Sequence, residues 1–132
     1  MHEALLKGKR ILVIEDIVEN MRLFEVILKM DGAEVLSAFN ARDGIALARS
    51  QEPDLILMDI HMPEMDGLTA TRLLRADPGT TAIPIVAVTA SVMLEDLNDT
   101  LEAGCNGYIT KPLEPLQFAR QLLPFLKTEA VT

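Results

Sequence analysis

Glu15 and Asp16, Asp59, Thr89, and Thr110 with Lys111 stand at or just after the ends of four short apolar runs: RILVI (10–14), LILMD (55–59), IVAVT (85–89) and GYIT (107–110). An ordinary strand could end on Ser or Gly, so carboxylates there need a reason. Two like charges about 4 Å apart repel by roughly 4 kcal/mol at an effective dielectric near 20. If these ends share one pocket, three carboxylates stay ionised together only when something positive joins them. Lys111 offsets one charge. A divalent cation would offset the others, and all-oxygen ligands with room for water suit Mg2+.

Convergence requires that the runs be neighbouring parallel strands. LILM reads as a strand buried on both faces, and Pro63 with Asp66-Gly67 marks the turn after it. A fifth run, EVLSA (34–38), ends blandly in Ala38 and Phe39. Helical spacing fills the gaps: Met21, Phe24 and Leu28; Leu94, Leu97 and Leu101; Leu116, Ala119, Leu123 and Leu126. Leu94, Leu97 and Leu101 would place part of helix 4 in the core, leaving Glu95, Asp96, Asn98 and Asp99 outside. Pro124 should end or kink the last helix. Turn signals fall at Gly32, Pro53, Asp77-Pro78-Gly79, Gly104 and Lys111-Pro112.

Alternating strands and helices imply right-handed crossovers and a sheet covered on both faces. The expected fold is α/β, a (βα)5 doubly wound parallel five-stranded sheet of flavodoxin-like type, strand order 2-1-3-4-5. Ligands bind such sheets beyond the carboxyl ends of the strands, at the switch in strand order. The polar ends named above belong to the strands around that point.

The 132 residues make one domain, 1–132, with a core over about 9–127 and short flexible termini. A net charge of −8 without a cluster of Lys and Arg speaks against direct nucleic-acid binding, and five aromatics offer no stacking platform. Cys105, the single cysteine, excludes an internal disulfide and reads as a small buried hydrophobe. No apolar stretch is long enough for a membrane span or a signal peptide, so a cytoplasmic location is expected.

Each polar end has a plainer explanation when taken alone. Asp16 could cap the next helix, Thr89 could be chosen for strand propensity, and Lys111 could be a solvated charge. Asp59 resists this, because Pro63 intervenes before any helix begins. All four at one sheet edge is poorly explained by coincidence.

VIEDIVEN, DLILMDIHMPEMDG, IPIVAVTA and GCNGYITKP, in this order and spacing, resemble the receiver domain of two-component response regulators over residues 9 to 127. The resemblance implies that Asp59 is the phospho-acceptor and that Mg2+ is held by Asp16 directly, Glu15 largely through water, Asp59 and the His61 backbone carbonyl. It makes Thr89 the switch hydroxyl, Lys111 the phosphate-pairing lysine, Tyr108 the switch aromatic and Lys111–Pro112 a cis bond. Ala90 leaves room for access. The donor would be a phosphohistidine on a histidine kinase or histidine phosphotransfer protein. Neither His2 nor His61 suits that role, and a side-chain metal bond from His61 is the less favoured reading. Output would pass to a downstream protein through the face of helix 4, strand 5 and helix 5, with homodimerisation on phosphorylation left open. Ile17 departs from the polar residue many relatives carry, and His61 and Ser91 occupy positions that tune phosphoryl lifetime.

The chain ends soon after helix 5, with no room for a DNA-binding or enzymatic output domain, so the expected role is a signalling switch and not a turnover enzyme. A receiver cut from a hybrid kinase, and a phosphorylation-independent binding module, are the alternatives. An aspartyl phosphatase would want a second Asp where His61 stands. Flavin or dinucleotide binding would want a glycine-rich loop after the first strand.

Overall fold

The structure is a computed structural model describing residues 4–90 and 93–126. His2 and Ser91 lie outside the described residues, as do the side chains of Leu94 and Glu95. The chain alternates β1 (Arg10–Ile14), α1 (Val18–Met30), β2 (Glu34–Ala38), α2 (Ala41–Gln51), β3 (Leu55–Asp59), α3 (Gly67–Ala76), β4 (Ile85–Thr89), α4 (Leu94–Ala103), β5 (Gly107–Thr110) and α5 (Phe118–Leu122). All strands are parallel, in the order β2-β1-β3-β4-β5. The five apolar runs of the sequence become the five strands with the same ends.

Alternation along each strand splits the core in two. Ile11, Val13, Leu55, Leu57, Val86 and Val88 face α1 and α5, packing on Phe24, Leu28, Phe118 and Leu122. Leu12, Ile14, Ile56, Met58, Ile85 and Ala87 face the other way, onto Ile45, Ala48, Ala70, Leu74 and Cys105. β3 and β4 are buried at all five positions, as central strands of a sheet covered on both faces must be. Leu6 plugs the first core ahead of β1, with no exposed surface, and its N–H donates to the Asp31 carbonyl at 2.8 Å.

Register does the positioning. Ile14 pairs with Met58, so Glu15 and Asp59 leave adjacent strands side by side. Asp59 pairs with Val88, which puts Thr89 one residue beyond it, and Thr89 pairs with Thr110. The carboxyl ends of four strands therefore meet at one place.

Two helical expectations need correction. Among the described residues of α4 the buried ones are Thr100 and Ala103, whereas Leu97 is half-buried and Leu101 is 45% exposed. The helix packs on α3 and β5, and of its described leucines Leu101 faces outward while Leu97 lies at the margin. Asp96, Asn98 and Asp99 are exposed as expected. Near the end, Leu116 is 73% exposed and Leu123 also reaches solvent, while Phe118, Ala119, Leu122 and Leu126 are buried. Leu116 precedes the helix, in a turn where Gln117 and Phe118 N–H both donate to Glu114 O at 2.9 Å. Pro124 ends α5: a 3-10 turn over Leu123–Phe125 replaces the α-helical pattern.

Candidate functional site

Glu15, Asp16 and Asp59 each place one carboxylate oxygen within 4.8 Å of the others. Glu15 is fully buried, with Oε1 3.2 Å from Lys111 Nζ and Oε2 accepting from Ile17 N–H at 3.1 Å. Asp59 is 6% exposed, and its Oδ1 accepts from His61 N–H at 3.2 Å. Asp16 does not cap α1, whose N-cap is Ile17 with no side-chain cap bond. Its Oδ1 is instead sealed from solvent with no hydrogen-bond partner. A buried carboxylate oxygen without a donor is costly, and here it lies beside two more carboxylates.

The electrostatics show the crowding. Burial pushes the Asp59 carboxyl up to about 7, reinforced by a hydrogen bond and like charge from Glu15. Lys111 and the His61 N–H oppose that rise without cancelling it. For Glu15 burial also raises the pKa, but the Ile17 N–H, the bond with Asp59 and Lys111 outweigh it, and the net shift is downward. Glu15 therefore keeps its charge and Asp59 bears the strain. Lys111 is the one cation in contact with the three acids among the described residues, and it bonds to Glu15, not to Asp59. Such a set is short of positive charge and made of hard oxygen donors, which fits a divalent cation of the Mg2+ kind.

Around this centre, Thr89 is buried at the end of β4, and its carbonyl accepts from Lys111 N–H at 2.8 Å. The Lys111–Pro112 peptide is cis. Ala90 is exposed beside Thr89. Tyr108 is 39% exposed on β5. His61 is exposed in the loop after β3, where only its backbone joins the cluster. Sequence reasoning missed a cleft of about 420 Å³ between α1 and the loop after β5. Leu23, Phe24, Ala90, Pro112 and Leu113 line it, with Lys111 at its edge. Leu23 is 44% exposed, and that outward leucine on α1 was the available signal.

Residues 11–122 match the family described as the response regulator receiver domain. The chain is 37% identical over 118 residues to the polar-differentiation response regulator DivK of Brucella anthropi, covering 89% of this chain and 96% of that protein. The receiver domain of sensor histidine kinase PA1611 from Pseudomonas aeruginosa, solved with a magnesium ion in its active site cleft, superimposes with a TM-score of 0.83 at 34% identity, over 89% of this chain and 97% of that one. Vibrio cholerae chemotaxis protein CheY4 shares the fold, with a TM-score of 0.85 at 24% identity over 89% and 98% of the two chains. This chain belongs to the response regulator receiver domain family of two-component signalling.

Proposed function

We propose that the protein is a phosphorylation-dependent signalling switch in which Asp59 accepts a phosphoryl group from a phosphohistidine. The observation that carries this reading is the trio of carboxylates with oxygens within 4.8 Å, one of them, Asp16 Oδ1, buried and unpartnered. Mg2+ held by Asp16, Asp59, the His61 carbonyl and, through water, Glu15 would neutralise charge on the phosphoryl oxygens. Asp59 is held by the sheet at the end of β3, where one of its oxygens would attack phosphorus. As the new O–P bond forms, the P–N bond of the donor breaks and the imidazole leaves with its electron pair. Lys111, free to turn from Glu15, pairs with a phosphoryl oxygen, and the Thr89 hydroxyl donates to another.

The phosphoryl group adds about −1.5 to −2 charge at one point. Thr89 moves toward it, the partly exposed Tyr108 turns inward, and the face made by α4, β5 and α5 is remodelled. Receiver domains interact with histidine kinases or phosphotransfer proteins. On this chain the donor protein would lie over α1 and the cleft beside Lys111, and the downstream partner would take the α4–β5–α5 face.

The direct test is incubation with Mg2+ and acetyl phosphate followed by intact mass measurement. One Mg2+-dependent phosphoryl adduct is expected, labile to hydroxylamine and absent from Asp59→Asn. An adduct that persists in that variant would refute Asp59 as the acceptor.

A further inference from the structure

Gly67 opens α3, and backbone freedom does not explain it. The glycines with positive φ are Gly8, Gly32 and Gly104. In a helix Ala is favoured over Gly by about 1 kcal/mol. What Gly67 contributes is the absence of a side chain. A Cβ there would overlap the Asp59 carbonyl oxygen and lie 2.9 Å from Ile60 Cα and 3.0 Å from the Asp59 carbonyl carbon. These are backbone atoms of the acceptor residue and its neighbour, with no flexible end to swing aside.

The same turn is fastened from several sides. Gly67 N–H donates to Ile60 O at 2.9 Å and so closes the loop that carries His61. Asp66 accepts from Thr69 N–H at 2.8 Å, and the buried Thr71 hydroxyl donates to Gly67 O at 2.7 Å. We infer that Gly67 is a positioning residue: by carrying no side chain it lets α3 seat directly on the Asp59–Ile60 peptide, which fixes the Asp59 carboxylate and the His61 carbonyl together. The consequence for activity rests on the phosphoryl-acceptor reading above; the seating itself does not.

The test compares Gly67→Ala with Gly107→Ala, by crystal structure, acetyl phosphate reaction rate and Mg2+ affinity. At Gly107 a Cβ would instead meet the Phe125 ring, overlapping Cζ and lying 2.6 Å from Cε1, so it is a steric control remote from the acceptor's backbone. Gly107→Ala should lose stability yet keep the wild-type rate per folded molecule. Gly67→Ala should move the Asp59–Ile60 peptide by roughly 1 Å to reach ordinary contact distance. It should also weaken Mg2+ binding and slow phosphorylation by about 10- to 100-fold, as misplacement of a reacting group by that amount does. An unmoved Asp59, or a wild-type rate and Mg2+ affinity, would overturn the inference. Should Gly67→Ala fail to fold, Thr71→Val removes the hydroxyl bond to the same turn, together with a weaker 3.6 Å contact to Cys105 Sγ away from it. It should slow the reaction several-fold, and an unchanged rate would be equally contrary. If the wild type itself takes no phosphoryl group, the acceptor reading fails and the crystallographic shift alone decides the seating.

Discussion

The two ends of this sheet treat polar groups in opposite ways. At the amino end the charged groups that anchor the strands are hydrogen-bonded. Arg10 N–H donates to Asp54 Oδ2 at 2.8 Å, and its guanidinium reaches the Gln51 carbonyl at 2.6 Å. Arg75, at the end of α3, donates to the carbonyls of Gly104, Thr81 and Ile83 and to Asn106 Oδ1, at 2.7 to 2.9 Å. Asn106 Oδ1 accepts from Ile85 N–H in turn, which locks the start of β4 to the turn before β5. At the carboxyl end three carboxylates share one lysine, Asp59 is pushed up to about 7, and Asp16 Oδ1 has no donor. Buried polar groups that serve structure are satisfied; those left unsatisfied mark where a ligand supplies the missing charge.

The strongest way to break this contrast is to remove the repulsion. Asp59 has a folded-state pKa raised above its unfolded value, so its contribution to stability is fully present below about pH 4 and is lost as pH rises through about 7. Without metal, Asp59→Asn should therefore be more stable than wild type at pH 8, by about 2–3 kcal/mol, and show no such gain near pH 4. Urea denaturation in EDTA at the two pH values measures this. Equal stability at pH 8 would mean that the acidic pocket is not strained.

The amino end should respond in the other direction. Arg75→Ala strips donors from three carbonyls and from Asn106, and should cost about 2–3 kcal/mol in denaturant melts. Acetyl phosphate should still label Asp59 at the wild-type rate per folded molecule. Loss of labelling with stability intact would show that the two ends are not separable.

Asp66 makes the smallest difference. Its carboxylate caps α3 and is held below the usual carboxylate range chiefly by the Thr69 N–H. A depressed acid contributes above its unfolded pKa and loses that contribution as pH falls through the folded one. Asp66→Ala should cost about 1 kcal/mol at neutral pH, with Asp66→Asn closer to wild type and the gap shrinking in acid. A constant penalty down to pH 2 would point to packing and not to the cap.

Much of this contrast was legible beforehand. Short apolar runs bounded by Gly, Pro and Asp signals located all five strands, and parallel register then forced Glu15, Asp59, Thr89 and Lys111 together. Leu97 and Leu101 misled because apolar spacing marks a stripe without saying whether anything covers it; Thr100 and Ala103 are the buried positions among the described residues of α4. Leu116 fitted the helical period but falls ahead of the helix. Leu6 lacks any periodic context, and its burial depends on a bond to Asp31, far along the chain. Arg75 gave no signal in the sequence, because its acceptors lie in the loops before β4 and β5 and meet it only in the fold. Gly67 looked like simple turn punctuation, since the clash it avoids exists only once α3 is folded back on β3.

The most direct measurement is the effect of 10 mM MgCl2 on urea denaturation at pH 8, for wild type and Asp59→Asn side by side. With a dissociation constant on the order of 1 mM, Mg2+ should stabilise the wild type by about 1.4 kcal/mol. The variant, which lacks one carboxylate of the cluster, should gain clearly less. Mg2+ that leaves the wild type unmoved, or stabilises both proteins equally, would contradict the claim that the strained carboxyl end is built to receive a cation.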